Sequence, residues 1–245
     1  MATGNNPIPK INGHPLTEFG AECVDFTVSG TPIDNSYFQG INRSTWHQLK
    51  TIYGMRTITL KLVFIGSATQ NVMDNKSLFD AQCFGKSILD LGDSTRSYSV
   101  MCDKLGAAQI VSKAYAGGLS PVLNLAMLEA EYTFKGICQD PSPLGGTITP
   151  ELNTIICGGT MPYIDCKLET TAGAASDAYH FGGAVWSGVA AGDVLVFDGI
   201  DGKITKNGQP YAGSVSWSEF PYLVPGTNTI EITDATTVTY YPAFI

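Results

Sequence analysis

Residues 193–208 read DVLVFDGIDGKITKNG, and this stretch decides the class of fold. Val194 to Phe197 form an apolar run, and Gly199 to Gly202 is turn material. Ile204 sits in a short polar-flanked segment that ends at Asn207-Gly208, a dipeptide suited to tight hairpins because both positions accept positive φ. That spacing predicts two paired strands. Downstream, Val215 and Trp217 alternate with Ser214, Ser216 and Ser218. Ile230 and Ile232 alternate with Thr229, Glu231 and Thr233, and Val238 and Tyr240 with Thr237, Thr239 and Tyr241. A period of two puts each apolar set on one face of a strand. Strands recurring at short intervals, with turns between them and no helical period, predict an antiparallel sandwich or jelly roll.

Composition fits that reading. The chain has 245 residues, 44% hydrophobic and 15% charged, with 27 Gly and 13 Pro, a balance that favours strands and turns over long helices. Its length suits two ordinary domains. The net charge of −8, with no run of Lys or Arg, argues against specific nucleic-acid binding and against docking on an anionic membrane. Residues 1–7 lack the basic start and apolar core of a signal peptide, and no stretch is apolar for the length of a membrane span. The expectation is a protein that stays where it is made until something carries it out. The six cysteines (Cys23, Cys83, Cys102, Cys138, Cys157 and Cys166) are widely spaced and read as free, mostly buried thiols. With no CxxC pair, and with His14, His47 and His180 far apart, no metal site is expected.

From the amino end, residues 1–20 are rich in Pro, Gly and Asn and read as an arm ordered by a neighbour. Residues 23–29 read as a half-buried strand carrying Val24, Phe26 and Val28 on one face, followed by a turn at residues 30–34. Trp46, Leu49 and Tyr53 fall at near-helical spacing after Ser44 and before Gly54, which predicts a short helix. Ile58, Leu60, Leu62 and Phe64 then alternate with polar neighbours in a central strand. Asp74 can cap a helix running to about Leu91, with Leu78, Phe79, Ile88 and Leu89 as its buried stripe. Strands are expected over 98–103, 110–115 and 128–135, making a first domain of α+β type, one helix on an antiparallel sheet. Asp140-Pro-Ser-Pro-Leu-Gly-Gly146 breaks every regular pattern. It places the domains at 1–140 and 147–245, with 141–146 as the linker. Strands over 155–157 and 164–168 add to the carboxyl-terminal set to give a second, packed pair of sheets. The whole is mainly β.

Local signatures of catalysis fail. Gly85-Lys86-Ser87 matches the end of a phosphate-binding loop, but Asp80 stands where the first glycine belongs and the preceding segment reads as helix. Asp198-Gly-Ile-Asp-Gly202 has the wrong ligand spacing for calcium and is explained by its hairpin turn. Glu129, Glu131, Glu169 and Glu231 occupy the polar positions of alternating strands, where a solvated face is the plain explanation, and Glu151 and Glu219 complete the glutamates weighed as an acid pair. No enzyme is expected, and no catalytic, cofactor or metal residues are assigned. Trp186, Trp217 and Tyr222 are aromatics of the expected sandwich. Trp186 and Tyr222 are candidate carbohydrate contacts, since an apolar sugar face stacks on an aromatic plane, whereas Trp217 shares a face with Val215 and reads as core.

Several motifs in order resemble the distal tail protein (Dit) family of long-tailed phages. In the first half these are Gly54-Met-Arg56-Thr-Ile-Thr-Leu60 and Asp140-Pro141. In the second half they are Gly192-Asp193-Val-Leu-Val-Phe-Asp198-Gly, Asn207-Gly208, Phe220-Pro221-x-Leu223-x-Pro225-Gly226-x-Asn228-x-Ile230, and Val238-x-Tyr240 with Pro242. The resemblance implies a galectin-like second domain and a virion structural protein. Six copies would form a ring at the distal end of the tail, linking the tail tube protein to the tail-associated hub (lysin) protein. A receptor-binding protein or host glycan would attach outside. It implies assembly in the host cytoplasm and residence at the tail tip, with no cofactor. An acidic ring lining would leave passing DNA unbound. The competing reading is a carbohydrate-binding protein that recognises host cell-surface glycans through its carboxyl-terminal sandwich.

Overall fold

The structure, a computed structural model, describes residues 8–39, 41, 44, 46–92, 94–112 and 126–245. The chain divides into two compact units, Met1–Cys138 with Ile245, and Gln139–Phe244.

The first unit carries strands β1 (Lys10–Ile11), β2 (His14–Pro15), β3 (Ala21–Val28), β4 (Ile33–Gln39), β5 (Trp46–Tyr53) and β6 (Arg56–Gly66). Helix α1 (Thr69–Gln82) is followed by β7 (Lys86–Asp90), β8 (Ser97–Lys104), β9 (Gln109–Ser112) and β10 (Ala126–Gln139). The main sheet runs β2-β1-β7-β8-β10-β6-β3, with β9 also on β10. Its longest ladder joins β10 to β6, antiparallel from Ala126 opposite Gly66 to Gly136 opposite Arg56. The alternation read from the sequence holds along both strands: Ile58, Leu60, Leu62 and Phe64 are buried, as are Leu128, Ala130, Tyr132 and Phe134. In β3, Cys23 faces Leu62 and Asp25 faces Lys61, so Val24 is an extra, bulged residue and is 65% exposed instead of sharing a face with Phe26.

Helix α1 lies on this sheet through Val72, Lys76 and Phe79, spaced four and three apart on one face. Phe79 meets Phe19, Phe64 and Tyr132 with centroids 5.6, 5.9 and 4.9 Å away, all edge-on. The helix starts at Thr69, five residues before Asp74, and ends at Gln82, well short of Leu91. Gly85 takes φ +77, and the chain re-enters the sheet as β7, where Ser87 and Leu89 face inward. Leu78, expected in the buried stripe, is 58% exposed, and Ile88 belongs to a strand. The expected arm also differs. Residues 8–20 include β1, β2 and a 3₁₀ turn at Leu16–Phe19 that buries Ile11, Leu16 and Phe19 in the unit's own core. Residues 1–7, and residues 113–115 of the predicted 110–115 strand, lie outside the described residues.

The predicted short helix near 46–53 is a strand. β5 pairs antiparallel with β4 as a separate two-stranded sheet, from Ile33 opposite Tyr53 to Gln39 opposite Trp46. Thr51 Oγ1 donates to Asn35 Oδ1 across the pair at 2.7 Å. Helical spacing misleads here because no buried face exists for it to match. Leu49 is 68% exposed, and the Thr51-Ile52-Tyr53 run suits extended backbone.

The second unit carries β11 (Leu144–Ile148), β12 (Thr154–Cys157), β13 (Ile164–Thr171), β14 (Tyr179–Phe181), β15 (Ala184–Trp186), β16 (Val194–Asp198), β17 (Lys203–Lys206) and β18 (Gln209–Pro210). After these come β19 (Val215–Ser216), β20 (Tyr222–Leu223), β21 (Gly226–Thr229) and β22 (Thr236–Tyr240). One sheet runs β11-β22-β13-β16-β17-β18 with β20 on β13, a second is β14-β15-β19, and a third pairs β12 with β21. Its core holds Phe181, Trp186, Phe197, Leu168, Leu195 and Val238. Residues 141–146, read as a linker, contain the start of β11. There Gly145 serves close approach: a Cβ on it would lie 1.8 Å from the Val238 carbonyl oxygen. Residues 230–233, read as a strand by their alternation, contribute a single bridge from Ile232 to Phe181.

Candidate functional site

The residues whose order carries the resemblance build turns. The Asp198 carboxylate accepts from the backbone N–H of Ile200 and Asp201 at 2.9 and 3.0 Å, closing the β16–β17 hairpin. Asn207 and Gly208 both adopt positive φ, 52° and 74°, as a tight β17–β18 turn requires. Asn228 accepts from Val224 N–H at 2.8 Å and donates to the Val224 and Gly226 carbonyls at 2.7 and 2.9 Å, holding the Pro225-Gly226 corner. Asp193 accepts from Ala190 N–H and from the Asn207 side chain, both at 2.8 Å, and its carboxyl is held below the usual range chiefly by that backbone bond. Lys206 pairs with it at 3.3 Å and stands 4.4 Å over the Tyr211 ring, which in turn stacks on Trp186.

Trp186 is the innermost layer of that stack, with no accessible surface, between Phe181, Phe197 and Tyr211. This corrects its reading as a carbohydrate contact, since neither face of the indole is open to a sugar ring. Set among glycines, it resembles an exposed aromatic in sequence, yet Gly182 and Gly183 take positive φ and turn the chain so that β15 faces inward. Trp217, read as core, is 39% exposed and packs on Phe220 with centroids 4.6 Å apart.

Tyr222 stands apart from that layer. It is 37% exposed and meets Tyr163, itself 64% exposed, edge-on at 5.0 Å. The neighbouring Glu219 carboxylate pushes its phenol above the ordinary value. Glu219 and Tyr222 help line an open cleft of about 400 Å³ whose lining includes residues 218–222 and 228–231. Glu231, also in that lining, pairs with His180 at 3.3 Å.

The remaining candidates do not assemble. Glu129, Glu131, Glu169 and Glu231 are exposed, as the strand alternation requires. Lys86 and Ser87 of the loop-like Gly-Lys-Ser open β7, and Ser87 Oγ donates to the Gln82 carbonyl at 2.8 Å. All six cysteines are free, and burial is the first cause pushing the Cys83 and Cys166 thiols up. Among the described residues no group of acidic, Cys or His side chains could hold a metal, and no helix is long and apolar enough to cross a membrane.

The first unit has a different kind of surface. On the isolated β4–β5 hairpin, Ile33, Tyr37, Phe38, Leu49 and Ile52 are each 46% to 68% exposed. These five large apolar side chains on one two-stranded sheet were missed because the segment read as a turn and a helix.

Residues 183–244 match the family described as siphovirus-type tail component, C-terminal domain. The crystal structure of the Dit protein of phage SPP1, described as a paradigm of the hub adsorption apparatus in phages infecting Gram-positive bacteria, is similar at TM-score 0.64. It is 9% identical, over 97% of this chain and 99% of that one. This chain has the Dit fold. A chain of the phage p2 baseplate in its activated conformation is also similar, at TM-score 0.51 and 9% identity, over 96% of this chain and 97% of that one. No curated protein sequence matches. The Dit likeness spans both units, and the family match falls on the segment whose turns carry the resemblance. Charge is partitioned between the halves of this Dit-type chain. Residues 1–138 hold 11 Lys and Arg against 11 Asp and Glu, whereas residues 139–245 hold 3 against 11. The net charge of −8 thus lies wholly in the second unit.

Proposed function

We propose that this Dit-like tail component is a structural, non-enzymatic protein of the virion tail tip. Six copies close into a ring through their first units, joining the tail tube above to the tail-associated hub below, with the second unit left for adhesion proteins. The observation that carries the reading is the β4–β5 hairpin. With about half of each side chain's surface still open, its apolar residues would each contribute on the order of 1 kcal/mol on transfer into a neighbouring subunit, and a ring built from one repeated contact gives every hairpin such a neighbour. The electroneutral first unit supports it as well, because copies can approach without net repulsion.

Native mass spectrometry and negative-stain microscopy of the purified protein test this. The expected species has six times the 26.1 kDa protomer mass and ring-shaped particles, and Phe38→Ser with Leu49→Ser should leave a folded monomer. A wild-type monomer at tens of micromolar, or a ring indifferent to that double substitution, would sink the proposal. The glycan-binding alternative keeps only Tyr222 of its two aromatic contacts, since Trp186 is buried.

A further inference from the structure

We propose that the cleft of the second unit centred on Glu219 and Tyr222 docks an arginine-bearing segment of a partner protein. This rests on the reading of the chain as a tail component, which supplies a protein neighbour. The second unit has no arginine, and each of its three lysines is already engaged: Lys167 with Glu169 at 2.9 Å, Lys203 with Asp201 at 3.1 Å, and Lys206 with Asp193 at 3.3 Å. Eleven carboxylates thus share three lysines that pair elsewhere, and none of these pairings involves Glu219, whose neighbour is the Tyr222 phenol. Glu231, which also lines the cleft, pairs with the exposed His180. A cation arriving from outside meets two carboxylates of the cleft lining, Glu219 and Glu231, neither of which is paired with a lysine.

The shape favours a guanidinium over a point charge or a sugar. Tyr163 and Tyr222 already hold an edge-on pair 5.0 Å apart beside Glu219, so a planar cation can stack on an open phenol face while its fork engages the carboxylate. The cleft, about 400 Å³, suits a side chain with a short stretch of backbone. An uncharged saccharide would gain nothing from the field of this unit, and a phosphate-bearing wall polymer would be repelled by it. Glu219 and Tyr222 are exposed, so both can be changed without opening the core.

The test uses the full chain at 150 mM salt and the peptide acetyl-Gly-Ser-Arg-Gly-Ser-Arg-Gly-amide, with a citrulline version as its neutral isostere, titrated calorimetrically. Glu219→Gln and Tyr222→Ala should each weaken binding on the order of tenfold. Glu151→Gln, an exposed acid of the same unit outside the cleft, should change it less than about twofold, and the citrulline peptide should not bind. Equal losses at Glu151 and Glu219 would reduce the effect to general attraction and overturn the proposal, as would equal binding of the citrulline peptide. Retention of a neutral N-acetylglucosamine oligomer that is lost in Tyr222→Ala but kept in Glu219→Gln would overturn it in favour of glycan. Ring mass measured on the same samples separates the two readings: intact rings without peptide binding refute the cleft alone, and peptide binding without rings refutes the ring alone.

Discussion

Replacing Trp186 by alanine should strongly destabilise the second unit instead of abolishing a surface contact. The side chain has no accessible area, and its ring centroid lies 5.8 Å from Phe181 and 6.2 Å from both Phe197 and Tyr211. Truncating a fully buried tryptophan costs about 3–5 kcal/mol in lost transfer energy and cavity. Phenylalanine at the same position should cost less than about 2 kcal/mol, because the indole N–H finds no acceptor, and removing an orphaned donor offsets part of the lost packing. Urea unfolding, with hydrogen exchange read on peptides covering 164–171 and 194–206, isolates this unit. At a urea dependence of roughly 1–3 kcal/mol per molar, the alanine midpoint should fall by more than about 1 M and the phenylalanine midpoint by less. An alanine midpoint within about 0.3 M of wild type would refute the packing argument, since that shift is under 1 kcal/mol.

Two further perturbations probe the buried polar groups. On helix α1, Asp80 accepts from Lys76 and from the Tyr132 hydroxyl of β10, both at 2.6 Å. Asp80→Asn should cost the first unit about 2–3 kcal/mol by leaving the Lys76 ammonium uncompensated, while Lys76→Met with Asp80→Leu should be close to neutral, both read from urea midpoints. In the second unit, burial pushes the Tyr179 phenol and the Cys166 thiol up to about 12, from ordinary values of 10.0 and 9.0. The folded unit therefore keeps protons that the unfolded chain releases. Its stability should be full below pH 9 and fall as the pH rises towards 12, and Tyr179→Phe should flatten the part above pH 10 in a series of thermal midpoints.

The strands that were legible in the sequence are those with one buried face. β6 and β10 alternate because their inner residues meet α1 and the aromatic cluster around Phe79, and pattern follows burial directly. The β4–β5 hairpin was not legible, since its side chains face neither a core nor open water in any periodic way. Its ladder is decided by cross-strand partners such as Asn35 and Thr51, sixteen residues apart. The helix was placed but misbounded: Asp74 looked like a cap, whereas α1 starts at Thr69 with no side-chain cap at all. At the candidate sites, Tyr222 could be singled out by residue type, but Trp186 could not be told from an exposed aromatic. Its burial depends on Gly182 and Gly183 bending the chain and on Tyr211, 25 positions later, closing the layer. Turn chemistry at Asp198, Asn207 and Asn228 was the most faithful signal, because each residue satisfies backbone groups a few positions away.

The order of strands in the second unit bears on how the chain is made. β22 lies between β11 and β13, so the strand occupying the middle of that ladder is synthesised after both of its neighbours. During translation β11 and β13 wait as open edges. The ladder closes only when residues 236–240 have cleared the ribosome, which makes this unit the later of the two to close, while the β6–β10 ladder of the first unit can already be in place. A product lacking residues 236–240 would lose the whole of that middle strand, Thr236–Tyr240, and the cell would meet it as two exposed edges and not as a slightly frayed sheet.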